Sequence, residues 1–181
     1  YQNNMDSLFL QNIQKQVALW REGGYKGVHK ETENILSHIK RVAFLHEPQI
    51  EALETYIFLK EVIGNKSSVE VFRKSFENEL EFIRALGISD KEAFELAYDK
   101  NKDQKIQMIL DEKFGTLDYA NQVYALTMGS GKTILMAVMM LYDFVLSFYH
   151  KDDERFAKNA LVFAPDTTII ESLKEIKTFD Y

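Results

Sequence analysis

The run that most constrains the fold of this chain is Gly129-Ser130-Gly131-Lys132-Thr133. It stands between a short apolar run, residues 123–126, and a long apolar stretch, residues 134–149, so it predicts a loop that joins a buried strand to a helix. Glycines allow the backbone N–H groups to approach an anion closely, and the start of a helix favours that anion. The run therefore predicts a phosphate-binding loop. A glycine turn that only caps the helix is the alternative.

A second apolar run predicts the rest of the fold. Residues 160–164 form a continuous apolar segment that ends at Pro165, as in a buried parallel strand, and Thr167 or Thr168 can cap a helix after it. Strand, helix, strand, helix is the repeating unit of a parallel sheet with right-handed crossovers. We therefore expect an α/β fold in which residues 119–181 begin a parallel-sheet lobe. Two strands are too few for an independent sheet, so this lobe is expected to be incomplete.

The first two-thirds of the chain predicts helices. Apolar residues recur at three- and four-residue steps over 6–22, 30–43 and 47–63, and Ser89 with Glu92 forms a capping-box pattern further on. We expect three segments: a helical region (1–65), an acidic helical insertion (66–118) and the sheet lobe (119–181). The insertion carries a net charge of −3 and is expected to have a solvated face.

Composition excludes several classes of protein. With 22 basic and 28 acidic residues the net charge is −6, so the chain cannot grip nucleic acid through bulk positive charge. The absence of cysteine excludes disulfide scaffolds and cysteine-bound zinc. The four histidines show no metal-ligand spacing along the sequence, so no zinc site is predicted. The N-terminus lacks the pattern of a secretory signal. The most apolar segment, residues 134–149, is shorter than a membrane span and contains Asp143. Both features favour a cytoplasmic protein without a membrane span.

The residues from Tyr124 to Tyr181 resemble the first motor lobe of superfamily 2 helicase-like ATPases, and among them the restriction subunit of type III restriction enzymes and its DEAD/DEAH relatives. The likeness rests on the glycine loop, on Arg155-Phe156, and on the apolar strand that ends at Pro165 before Thr167-Thr168. Residues 44–61 resemble the glutamine-containing motif of that family. Its N-terminal signature is resembled by Trp20, Gly24-Tyr25, Gly27-Val28 and Thr32.

The resemblance implies a RecA-like lobe that binds ATP and Mg²⁺, and a role for each matching residue. Lys132 would be the catalytic contact to the β- and γ-phosphates, and Thr133 would hold Mg²⁺. Gln49 would recognise adenine, and Pro165, Thr167 and Thr168 would touch the DNA backbone. The phosphates would be wrapped by Met128, Gly129, Ser130 and Gly131. Met128 and Thr127 depart from the usual Thr and Ala, and Leu126 replaces the glycine of the general phosphate-loop pattern.

In such a protein, ATP hydrolysis would drive movement on DNA, and a DNA methyltransferase subunit would be a possible partner. A motor also needs a later acidic strand residue and arginines from a second lobe. Neither is visible in these 181 residues, so we expect this chain alone to bind nucleotide without turning it over at a motor's rate.

Structural interpretations of the same residues stay open. Gln49 is also a plausible surface amide, Thr167 and Thr168 are also helix caps, and Trp20 and Tyr25 suit helix packing. The chain as a whole could instead be another phosphate-loop ATPase or kinase. It could also be a helical interaction module whose nucleotide site is unused.

Overall fold

The computed structural model describes residues 2–76, 78–115, 119–127 and 129–163, with side chains from residue 9 onward. The chain divides into two compact units. Unit 1 contains residues 1–24 and 65–123, and unit 2 contains residues 25–64 and those from 124 onward. Each unit is therefore built from two separated stretches of sequence, whereas the expected segments 1–65, 66–118 and 119–181 are each continuous.

Unit 1 is a cluster of helices around aromatic side chains. Its helices are α1 (Gln2–Glu22), α4 (Ser68–Lys74), α5 (Glu79–Ala85), α6 (Asp90–Ala97) and α7 (Lys102–Phe114). Phe72 is fully buried, and the Phe9 ring of α1 meets it edge-on at 5.3 Å between ring centres. The capping box predicted for α6 is confirmed: the Glu92 N–H donates to Ser89 Oγ at 3.3 Å, and the Ser89 N–H donates to Glu92 Oε2 at 2.9 Å.

The described part of unit 2 contains three α-helices, and their predicted positions are confirmed within a few residues. They are α2 (Lys30–Val42), α3 (Glu47–Ile57) and α8 (Lys132–Tyr149), and α3 continues into a π-helical segment, Phe58–Val62. Both α2 and α3 pack against α8. The apolar side chains buried in this unit include Leu36, Leu53, Ile57, Leu135 and Leu146.

The expected α/β fold is wrong for the described part of the chain, which is helical and contains no strand or sheet. Residues 121–127 and 159–163 have no regular secondary structure. A strand requires hydrogen bonds from a neighbouring strand, and neither segment has one among the described residues. The apolar side chains expected to be buried are exposed instead: Val123 by 91%, Leu161 by 80% and Phe163 by 86%. The predicted cap and helix after Pro165 lie outside the described residues.

One helix in the described residues, α8, is long and apolar enough to cross a membrane by length and composition alone. A core helix of a soluble protein passes the same test, and α8 contributes buried side chains to unit 2 on one face. Its Asp143 is buried in an ion pair with Lys60. These features are compatible with a soluble protein.

Candidate functional site: the loop before helix α8

The predicted phosphate-binding loop forms a tight turn that leads directly into α8. Gly129 has φ 76° and Gly131 has φ 70°, and both angles lie in the left-handed region that side chains with a Cβ rarely adopt. Gly131 is the residue before the first turn of α8, so the loop ends where the unpaired N–H groups of that helix begin. The glycine spacing in the sequence therefore marks two backbone positions whose conformation favours glycine.

A second feature of the structure, which the sequence did not show, also favours glycine at position 131. The Gln49 side chain of α3 donates from Nε2 to the Gly131 carbonyl at 3.0 Å. A Cβ added at Gly131 would lie 2.5 Å from that nitrogen. The start of α8 and the start of α3 are thus joined by one amide, which would have to move if position 131 carried a Cβ.

The carbonyl oxygen of the Gln49 amide makes a hydrogen bond at the start of α3, the helix that contains Gln49. Gln49 Oε1 accepts a hydrogen bond from the His46 N–H at 2.7 Å, which satisfies a backbone donor just before the first turn of α3. Gln49 is only 1% exposed. The structure therefore places Gln49 against the loop and directs its amide to backbone atoms. Recognition of adenine by Gln49 stays a prediction, and it requires the side chain to turn outward.

Lys132, the residue expected to contact phosphate, is exposed and folds back over the loop. Its Nζ donates to the carbonyls of Leu126 at 3.0 Å and Thr127 at 2.8 Å. Ser130 Oγ also donates to the Thr127 carbonyl, at 2.7 Å. The first residue of α8 is therefore hydrogen-bonded back to the segment that precedes the two glycines.

The remaining predicted site residues are only partly described. Thr133 follows Lys132 in the first turn of α8 and is half-buried. Its role as a Mg²⁺ ligand stays a prediction. Met128, Pro165, Thr167 and Thr168 lie outside the described residues.

A buried ion pair, which the sequence did not predict, joins α8 to the π-helical segment. Lys60 Nζ lies 2.6 Å from both carboxylate oxygens of Asp143, and Tyr56 donates to the same carboxylate at 2.8 Å. Lys60 and Asp143 are each only 6% exposed. Burial, and then the neighbouring Asp143, raise the pKa of Tyr56, so its hydroxyl keeps its proton as a donor. The presence of Asp143 in an otherwise apolar stretch was the only sequence signal for this contact.

Glu61 is a second buried anchor in unit 2. Its carboxylate accepts hydrogen bonds from Thr32 Oγ1 at 2.5 Å, from the Tyr142 hydroxyl at 2.6 Å and from the His29 N–H at 2.7 Å. Burial, followed by the nearby carboxylate, raises the pKa of Tyr142, which therefore stays protonated. Through its carboxylate, Glu61 therefore joins the π-helical segment to α2 and to α8.

Arg155 connects the far end of α8 to the same region. It donates to the Glu61 carbonyl at 3.0 Å and lies 2.6 Å from Asp153 Oδ2. Hydrogen bonding from Arg155 lowers the pKa of Asp153 to about 2. In the motif resemblance Arg155 and Phe156 mark the approach to the second strand. In the structure both residues belong to unit 2, where Phe156 is buried.

His29, Glu31 and His150 form the group among the described residues whose geometry could hold a metal ion. Their potential ligand atoms lie within 4.8 Å of one another, although 119 residues separate Glu31 from His150. His150 Nε2 is 3.0 Å from Glu31, and the two histidine rings stack at 3.8 Å. The Arg155 guanidinium lies 3.2 Å from His29 Nε2 and places a positive charge beside any bound cation. The contacts therefore favour a hydrogen-bonded cluster over a metal site.

Comparisons of the chain with protein-family models, with curated proteins and with solved structures gave no match. The family resemblance therefore rests on the motif residues alone. A function for this protein has to be supported by the geometry of the loop and by measurement.

Proposed function

We propose that the loop at residues 126–133 binds the triphosphate of ATP together with Mg²⁺. The observation that carries this proposal is the position of Lys132, whose ammonium donates hydrogen bonds to the carbonyls of Leu126 and Thr127 in the same loop. A cation held at the start of a helix, beside two glycines at positive φ, is the chemistry that a polyphosphate requires.

The Lys132 contacts are of a kind that a phosphate can replace. Lys132 is exposed, and its partners are neutral carbonyl oxygens. A phosphate oxygen carries negative charge, so its hydrogen bond with the ammonium adds an attraction between opposite charges that a neutral carbonyl does not supply. An incoming triphosphate would therefore compete with these carbonyls for Nζ.

The bond between Gln49 and Gly131 supports the proposal by holding the loop in shape before any ligand arrives. A binding loop that is already ordered loses less conformational entropy on binding. The contacts of Asp143 and Glu61 hold α8 in place in the same way. Thr133 would then supply its hydroxyl to Mg²⁺, as in other phosphate loops.

At the level of the whole protein, we propose the N-terminal part of an ATP-dependent DNA helicase or translocase of the cytoplasm. The motif resemblance favours the restriction subunit of a type III restriction enzyme, with a methyltransferase subunit as its partner. Because the chain has a net charge of −6, its contact with DNA would be local.

Calorimetric titration with Mg·ATP tests the proposal. We expect the unaltered protein to bind and Lys132→Ala to bind at least tenfold more weakly, because the variant loses a charge-assisted contact of about 1.5–3 kcal/mol. Lys151→Ala is the matched control, since Lys151 is an exposed lysine just beyond the other end of α8. Equal affinities for the protein and both variants would refute a phosphate role for Lys132.

One observation favours a second candidate, a helical interaction module with an unused nucleotide site. The amide of Gln49 is buried and bonded to backbone at both ends, so it is not presented to a base. The same titration separates the two candidates. The module predicts no Mg·ATP binding by the unaltered protein.

A further inference from the structure

Unit 1 carries a surface groove that the nucleotide proposal does not use. The groove lies between α6 and α7 and encloses about 500 Å³, within the range of about 300–1,000 Å³ that is typical of ligand sites. Its apolar residues are Ile88, Leu96, Met108 and Ile109. Met108 is 66% exposed, so an apolar side chain stands open to solvent at the wall of the groove.

The rim of the groove is acidic. Four carboxylates line it, those of Glu92, Glu95, Asp99 and Glu112, against one ammonium, that of Lys105. Lys105 is already paired with Asp99, and hydrogen bonding from Lys105 lowers the pKa of that carboxyl. Of the other three carboxylates, Glu92 caps α6 and Glu95 pairs weakly with Lys91 at 3.9 Å.

Glu112 is the rim residue with the most available charge. It is exposed on α7, and no basic side chain in the described part of the chain lies within ion-pair distance of it. The groove therefore offers an apolar floor and an excess of negative charge, with one carboxylate open to a new cationic partner.

We propose that this groove, here called the acidic groove, binds a basic amphipathic helix of another protein. Apolar side chains at helical spacing would fill the floor between α6 and α7, and lysines or arginines beside them would meet the rim carboxylates. Charge complementarity selects this occupant over a second copy of the chain, because a copy would bring a net charge of −6 to an acidic surface.

Fluorescence anisotropy with defined peptides tests the acidic groove. The probe is a labelled peptide of about 18 residues with Leu at i, i+3, i+4 and i+7 and Lys on the adjoining positions. One control peptide carries Glu in place of every Lys, and another carries Ser in place of every Leu. We expect only the basic amphipathic peptide to bind, with an affinity that falls as NaCl is added.

Two variants place the peptide in the groove. Glu112→Lys should weaken binding about five- to tenfold at low salt through charge reversal. Met108→Gln should weaken it about tenfold through lost apolar contact, without disturbing the core, since Met108 is mostly exposed. Glu22→Lys, the same charge change at the end of α1 outside the groove, should leave affinity unchanged, and circular dichroism confirms folding of each variant.

The proposal is overturned if the Glu-containing peptide binds as well as the Lys-containing one. It is also overturned if no peptide binds to the folded protein, or if Glu22→Lys weakens binding as much as Glu112→Lys does. Mg·ATP titration of the same variants should be unaffected, so failure here is distinct from failure of the nucleotide proposal.

Discussion

Replacement of Gly131 by alanine tests whether the loop is held by the Gln49 contact or only by its backbone conformation. Alanine at a left-handed φ costs about 1–2 kcal/mol in any protein. At Gly131 the new Cβ would also lie 2.5 Å from Gln49 Nε2, so the amide has to move. Loss of the bond to the Gly131 carbonyl, with a buried donor left unpaired, adds about 1–3 kcal/mol. We expect Gly131→Ala to destabilise the protein by about 2–5 kcal/mol.

Gly27 supplies the matched control in the same unit. Its φ is 88°, and a Cβ there would meet no atom within 4 Å, so Gly27→Ala carries the conformational cost alone, about 1–2 kcal/mol. Urea unfolding followed by far-ultraviolet circular dichroism gives both free energies. Fluorescence of Trp20, which lies in unit 1, identifies any transition that does not involve the loop.

A double-mutant cycle then isolates the contact. In a Gln49→Ala background the clash is gone, so Gly131→Ala should cost no more than Gly27→Ala does. The interaction free energy between positions 49 and 131 should therefore be about 1–3 kcal/mol. If Gly131→Ala costs the same in both backgrounds to within about 0.5 kcal/mol, the two residues do not interact as described, and the glycine serves backbone conformation only.

Two further predictions concern the contacts that hold α8. Lys60→Met leaves Asp143 buried without its cation and should cost about 3–5 kcal/mol in urea unfolding, whereas Lys60→Met with Asp143→Leu should recover most of that loss; similar losses in both variants would contradict a coupled pair. The pKa of Asp153 is about 2, below the unfolded value of about 3.9, so the stability it contributes is present above pH 4 and is lost as pH falls through 2. Asp153→Asn should therefore lower the free energy of unfolding at pH 6 by no more than about 1 kcal/mol, the value of a surface pair, and should lower the thermal midpoint at pH 6 but not near pH 2. An equal effect on the thermal midpoint at both pH values would contradict this.

Local sequence patterns predicted the local structure well. Helical periodicity placed α2, α3 and α8 within a few residues of their observed bounds, because an amphipathic face and a cap are written into consecutive residues. The capping box of Ser89 and Glu92 formed as its spacing predicts. The glycines at 129 and 131 adopt the positive φ that their pattern indicated.

The same patterns failed where a structure depends on a distant partner. A short apolar run becomes a strand only when another strand pairs with it, and the part of the chain that the structure describes holds no such neighbour for 123–126 or for 160–163. Apolar composition alone could not distinguish a buried strand from an exposed extended segment.

The sequence by itself determined the glycine loop at the start of an apolar helix. It also determined where the other helices are capped and which of their faces are apolar. Only the tertiary structure decided that Gln49 would be buried against Gly131, that Lys60 would meet Asp143, and that the chain would form two units from interleaved stretches. The physical reason is the range of the interactions. Caps and helical faces join residues a few positions apart, whereas these contacts join residues more than 80 positions apart and exist only once the helices have packed.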